Sequence, residues 1–106
     1  MVRRMNKVEP ITAGNQVVAY AFYCPGCKNH HAPYIKPYHA PNGSSWQFNG
    51  DLEKPTFSPS ILTKVERPDK AKTMICHLFV REGQIQYLSD CTHDLSGQTV
   101  DMSDVD

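Results

Sequence analysis

Four cysteines arranged in two pairs constrain this chain more than any other feature. Cys24-Pro25-Gly26-Cys27 places two thiols on one tight turn, and Cys76 and Cys91 follow at long intervals, giving C-x2-C-x48-C-x14-C. Two thiolates on such a turn reach a single tetrahedral ion, and the glycine relieves the backbone between them. Five histidines stand beside the four cysteines in only 106 residues. In a reducing compartment that content points to metal before disulfides. A chain this short supports one modest core, which a metal would help to complete.

Charge and hydropathy exclude several classes. Eleven Lys and Arg balance eleven Asp and Glu, so no global positive field draws the chain to phosphate backbones or anionic lipid. The balance hides a mildly basic front half and an acidic end, since residues 90–106 carry Asp90, Asp94, Asp101, Asp104 and Asp106 without Lys or Arg. The longest apolar run, Val17 to Cys24, falls far short of the roughly 20 residues that cross a bilayer as a helix. No apolar segment follows Arg3, Arg4 and Lys7 before Pro10, so no secretory signal is expected, and the cytosol is the expected location.

Residues 1–15 read as an N-terminal tail or loosely held strand. Gln16 to Tyr23 is β-branched and aromatic and reads as a strand running into Cys24. Pro25, Pro33, Pro37 and Pro41 exclude a long helix or a central strand from residues 24–44, leaving a long Pro-rich loop or very short strands. Trp46 and Phe48 alternate with polar neighbours as a short strand, aromatic face inward, before a turn at Asn49-Gly50-Asp51. Pro55 to Pro59 reads as an extended link, Ser60 to Glu66 as a further strand, and Pro68 to Lys72 as an exposed loop. Residues 16–101 form a single β-rich domain on this reading, and 102–106 an acidic, disordered tail.

Two β-prone runs flank Arg81-Glu82-Gly83-Gln84 and predict a hairpin. A two-residue turn at Glu82-Gly83 pairs Val80 with Ile85, Leu78 with Tyr87 and Cys76 with Ser89. That register gathers Cys76, Leu78, Val80, Ile85, Tyr87 and Cys91 on one face and turns His77, Phe79 and Arg81 to the other. A three-residue loop would reverse the parity and bring His77 to the face of Cys91. The first register is preferred because apolar residues then meet across the strands.

The expected metal ligands are therefore Cys24, Cys27, Cys76 and Cys91, with His77 and His93 as alternates. Alternation sends Cys76 and His77 to opposite faces, so one of the two, not both, binds the ion. Four protein ligands describe a closed, structural zinc site, one per chain, because catalytic zinc keeps an open position. His30, His31 and His39 either extend that site or are solvated on the polar loop. Cys-Pro-Gly-Cys is also similar to redox-active motifs, but Pro33 and Pro37 forbid the helix that such motifs open. Ser58 and Ser60 lie in Thr-Phe-Ser-Pro-Ser without a Gly-x-Ser-x-Gly elbow and read as shaping an extended segment. No phosphate-cradling glycine loop occurs.

Several blocks resemble a family of small phage and prophage proteins often labelled "ammonia monooxygenase". They are Phe22-Tyr23-Cys24-Pro25-Gly26-Cys27, Trp46-Gln47-Phe48-Asn49-Gly50-Asp51, Pro55 to Leu62, Cys76 to Gln86 and Asp90 to Val100, spanning about residues 20–101. The resemblance implies a phage-encoded accessory protein holding zinc in the host cytosol, with no activity to carry over. The label fails on physical grounds, since that enzyme is membrane-embedded. The sequence thus predicts a mainly β, zinc-ribbon-like antiparallel sheet with a β-hairpin and a long Pro-rich loop. Its leading function is a non-enzymatic zinc-binding module for a protein partner, a host factor. The alternatives are a small zinc-dependent hydrolase, completed by His30, His31 or His77, and a nucleic-acid-binding zinc ribbon with Arg3, Arg4, Lys7, Lys28 and Lys36 on one face.

Overall fold

A computed structural model describes residues 6–67 and 72–105. Among these residues there is no helix, and the chain is built from eight strands in two antiparallel sheets. The first sheet has the order β1 (Glu9–Ala13), β2 (Gln16–Cys24), β3 (Asn29–His31). The second runs β4 (Gln47–Phe48), β5 (Phe57–Arg67), β6 (Lys72–Arg81), β7 (Gln84–Tyr87), β8 (Thr99–Asp101). The architecture is mainly β and compatible with a zinc-ribbon-like fold. No helix of the described residues is long and apolar enough to cross a membrane.

Why each segment adopts its form follows from local chemistry. The prolines of residues 25–41 leave room only for β3 and for isolated bridges, Ala19 with Tyr34 and Ile35 with Trp46. The hairpin between β6 and β7 closes through Arg81↔Gln84, with Val80↔Ile85 and Leu78↔Tyr87 above it. Glu82 and Gly83 both have positive φ, 48° and 80°, as a type I′ turn requires. Gly83 cannot be larger without crowding, because a Cβ there would lie 3.3 Å from the Glu53 carbonyl oxygen.

Alternation along these strands builds the core. Phe57, Ile61, Cys76, Leu78, Val80, Ile85 and Tyr87 point inward from the second sheet, and Phe22 and Cys24 meet them from the first. Aromatic rings join the two sheets. Phe48 stacks on Phe57 at 4.8 Å between centroids, Tyr20 lies 4.6 Å from Phe48, and Phe22 lies 6.3 Å from Phe57. Burying each large side chain of this set contributes about 1.5–3 kcal/mol.

The N-terminal segment carries an exposed strand, one of its two expected forms, while the C-terminal end differs from the disordered tail expected. β1 pairs along β2 from Glu9↔Ala21 to Ala13↔Gln16. Met102 is buried, its N–H donates to the Gly83 carbonyl, and Val105 N–H donates to Asn6. Lys7 and Asp104 form an ion pair. Residues 102–105 are thus pinned, because Met102 supplies an apolar anchor that the acidic composition obscures. Of the loop expected over Pro68 to Lys72, residues 68–71 lie outside the described residues, as do Arg3, Arg4 and Asp106, and Lys72 instead begins β6.

Candidate functional site

Two clusters of chemically capable side chains lie on opposite faces of β6. The cause is the period of a strand, which turns Cys76 inward and the adjacent His77 outward.

On the inner face, Cys24 comes from the end of β2, Cys27 from the turn that follows, Cys76 from β6 and His93 from the loop after β7. One ligand atom from each of these four lies within 4.8 Å of the other three. Cys24 Sγ is 3.8 Å from Cys76 Sγ, and Cys76 Sγ is 3.4 Å from His93 Nε2. A tetrahedral zinc ion with Zn–S near 2.3 Å separates two sulfurs by about 3.8 Å, so the spacing fits one ion. Gly26 is what allows the approach, because a Cβ there would collide with the His93 ring. Leu95 N–H donates to His93 Nδ1 and orients the ring; Nε2 carries the ring hydrogen in this arrangement, and a metal bound there would displace it.

The surroundings of these sulfurs favour the thiolate at Cys24 and the thiol at Cys27 and Cys76. Cys24 accepts from Cys27 N–H at 3.4 Å and lies 3.0 Å from the Tyr87 hydroxyl. Hydrogen bonding from the Cys76 thiol holds Cys24 ionised, lowering it to about 3 against the opposing effect of burial, and His31 and Tyr87 add to this. Burial pushes Cys27 up to about 11, while the bond to Cys24, followed by burial, pushes Cys76 up. The four residues could therefore hold a metal ion through three sulfurs and one imidazole.

Cys91 stands outside this group. The β6–β7 pairing ends at Leu78↔Tyr87, and the expected partnership of Cys76 with Ser89 does not form. Instead Leu88 N–H donates to the His77 carbonyl, and a turn closed by Cys91 N–H on Leu88 O carries the chain away. Cys91 Sγ then accepts from His77 N–H at 3.2 Å and donates to His77 O at 3.1 Å. The sulfur thus bonds to the backbone of β6, and the chain delivers His93 to the metal cluster two residues later.

On the outer face, His77 Nε2 lies 3.0 Å from Ser60 Oγ, and His77 Nδ1 lies 3.0 Å from Asp90 Oδ2. A carboxylate only accepts, so Nδ1 carries the hydrogen and Nε2 is left to accept from the Ser60 hydroxyl. This is the arrangement of a serine nucleophile, its base and the carboxylate that orients the base. β5 presents Ser60 through a bulge. Pro59 has no N–H to give to a ladder, and residues 58–60 stand opposite Phe79 between the pairs Phe57↔Val80 and Ile61↔Leu78. Trp46 Nε1 donates to the Ser60 carbonyl at 3.2 Å and fixes the bulge from the other side.

The reading of Ser58-Pro59-Ser60 as a plain extended link does not anticipate this Ser60–His77–Asp90 row. The available signal was a proline inside a β-prone run, which marks a bulge, together with a histidine facing away from the core. The turn after β7 that carries Asp90 has no such signal. Among the other histidines, buried His31 lies 3.7 Å from Cys27 Sγ and 3.4 Å from Thr63 Oγ1. His30 packs edge-on against Tyr23, and His39 is exposed against the Ala40 carbonyl.

Fold and site together define a small β protein that carries a serine-histidine-aspartate constellation beside a Cys3His cluster. A family model described as the bacterial ubiquitination-like system serine protease, BubE, matches residues 3–88. The chain belongs to this family. The match contains Ser60, His77, Cys24, Cys27 and Cys76, and it ends two residues before Asp90. No curated protein and no solved structure matches the chain.

Proposed function

We propose that this protein is a serine peptidase in which Ser60 is the nucleophile, His77 the general base and acid, and Asp90 the group that orients His77. The observation that carries this reading is the continuous hydrogen-bonded row from Ser60 Oγ through both nitrogens of His77 to Asp90, at 3.0 Å for each link. Ser60 Oγ attacks the carbonyl carbon of a peptide or isopeptide bond while Nε2 takes the hydroxyl proton. The tetrahedral intermediate collapses as the C–N bond breaks, and His77 returns that proton to the leaving amine. A water molecule then attacks the acyl-serine ester, His77 again takes a proton, and a carboxylic acid leaves with Ser60 restored.

The family description supports a substrate within a ubiquitination-like system. The protein partner expected from the sequence is then the substrate itself. The Cys24, Cys27, Cys76 and His93 cluster supports one zinc ion in a closed, structural site, because four donors leave no position for a reacting water. That argues against the zinc hydrolase alternative. A nucleic-acid role draws no support from Lys7, which is paired with Asp104.

Hydrolysis of p-nitrophenyl acetate tests the nucleophile. Ser60→Ala and His77→Ala are each expected to lower kcat/KM by about 1,000-fold or more, with metal content unchanged. Wild-type rates in Ser60→Ala would overturn the assignment.

A further inference from the structure

Beside the nucleophile, β5 keeps one edge that the fold does not use. β4 covers it only at Gln47↔Ser58 and Phe48↔Phe57, whereas β6 runs along the opposite edge as far as Arg67↔Lys72. Among the described residues, no strand pairs with residues 61–64 on the β4 side.

Alternation decides which backbone groups look outward there. Arg81↔Gln84 closes the two-residue hairpin, and His77 O and Ile75 O accept from Leu88 and Thr92, so the odd residues of β6 face away from β5. The even residues Cys76 and Leu78 face β5 and engage Thr63 and Ile61. The N–H and C=O groups of Leu62 and Lys64 therefore point away from β6, toward the open edge. The Ser60 carbonyl obeys the same parity, and it accepts a hydrogen bond from Trp46 Nε1.

A groove of about 350 Å³ follows this edge, with Pro33, Tyr34 and Trp46 on one wall and Leu62 and Lys64 on the other. Leu62 stands directly opposite His77 in the ladder, and 49% of its surface is exposed. An exposed leucine beside a catalytic imidazole suits contact with an apolar or small substrate side chain.

We propose that an extended peptide segment of the substrate adds to this edge as a β-strand, pairing with the backbone of Leu62 and Lys64 and bringing its scissile carbonyl to Ser60. Antiparallel addition runs the added strand from Lys64 toward Ser60, so the groove holds the residues on the acyl side of the bond. Main-chain pairing supplies affinity and the groove walls supply selectivity. The proposal rests on the peptidase reading, and its test separates the two.

The probe is acetyl-tetraalanine p-nitrophenyl ester, with single N-methyl groups placed in turn on its backbone amides. An N-methyl group removes one donor and blocks strand pairing. The expected result is an alternating pattern, in which methylation of an edge-facing amide raises KM about tenfold or more and methylation of its neighbour changes it by less than about twofold. Equal KM values across the series, with hydrolysis still dependent on Ser60, would overturn the edge while leaving the peptidase standing. A binding measurement does not depend on chemistry. Adding acetyl-tetraalanine to Ser60→Ala should shift the backbone amide resonances of Leu62 and Lys64, and the absence of shifts at both would overturn the proposal even if the ester is not cleaved.

Discussion

Cys76 and His77 are adjacent in the chain and separate in chemistry, because one strand residue sends its side chain into the core and the next sends it out. Cys76 is buried beside Cys24 and His93, while the ring of His77 bridges Ser60 and Asp90. Substituting the two should therefore give opposite losses. Cys76→Ser is expected to lose the metal, measured by elemental analysis, and to lower the melting temperature. His77→Ala should keep the metal and fold and lose hydrolysis. If His77→Ala lost the metal instead, the faces would be wrongly assigned. Gly26 gives a second residue-scale test. A methyl group there collides with the His93 ring, so Gly26→Ala should weaken metal binding by about tenfold or more, read by chelator competition.

At the scale of elements, β5 and the turn after β7 assemble the serine site around β6. The turn follows β6 closely, with Thr92 N–H on Ile75 O, Leu88 N–H on His77 O and the Cys91 sulfur bonded to both backbone groups of His77. Asp90 projects from this turn to Nδ1 of His77, so Asp90→Asn should change the proton arrangement without unfolding the turn. The expected result is a fall in kcat of about 1,000-fold or more with metal content unchanged. An Asp90→Asn enzyme with wild-type kcat would remove Asp90 from the site.

The elements also show what the sequence made legible. The hairpin register was readable because Leu78, Val80, Ile85 and Tyr87 match only when Glu82-Gly83 is a two-residue turn, and positive φ at both residues agrees. The period of β6 also anticipated that Cys76 and His77 would part company. Ser60 was not readable, because its role depends on a bulge that sets it beside a histidine 17 positions away. Cys91 and His93 were not separable either. Both follow the hairpin by a few residues, and only the turn at 88–91 decides which one reaches the inner face.

Across the whole molecule, the Cys3His cluster ties the first sheet to the second. Cys24 ends β2 and Cys27 lies on the turn that follows it, and Cys76 and His93 belong to β6 and the loop that carries Asp90. A closed zinc site contributes about 10 kcal/mol or more to folding, comparable with the total net stability of a domain, about 5–15 kcal/mol. Chelation should therefore lower the melting temperature and the hydrolytic rate together. Binding should also be proton-linked. Hydrogen bonding from Cys76 favours the thiolate at Cys24, whereas burial at Cys27, and the bond to Cys24 together with burial at Cys76, favour the thiol. Zinc must displace both thiol protons, so affinity falls as pH falls. Calorimetry in buffers of different ionisation enthalpy should count about two thiol protons released per ion. Release of none would contradict the sulfur ligation.

The most direct measurement of the central claim is labelling with a fluorophosphonate, which reacts with a serine only when a neighbouring base activates it. Mass spectrometry of the intact protein and of its peptides should find one adduct per chain, on Ser60, and none on the folded His77→Ala variant. A folded, metal-loaded wild-type protein that takes no label, or takes it at another residue, would contradict the account.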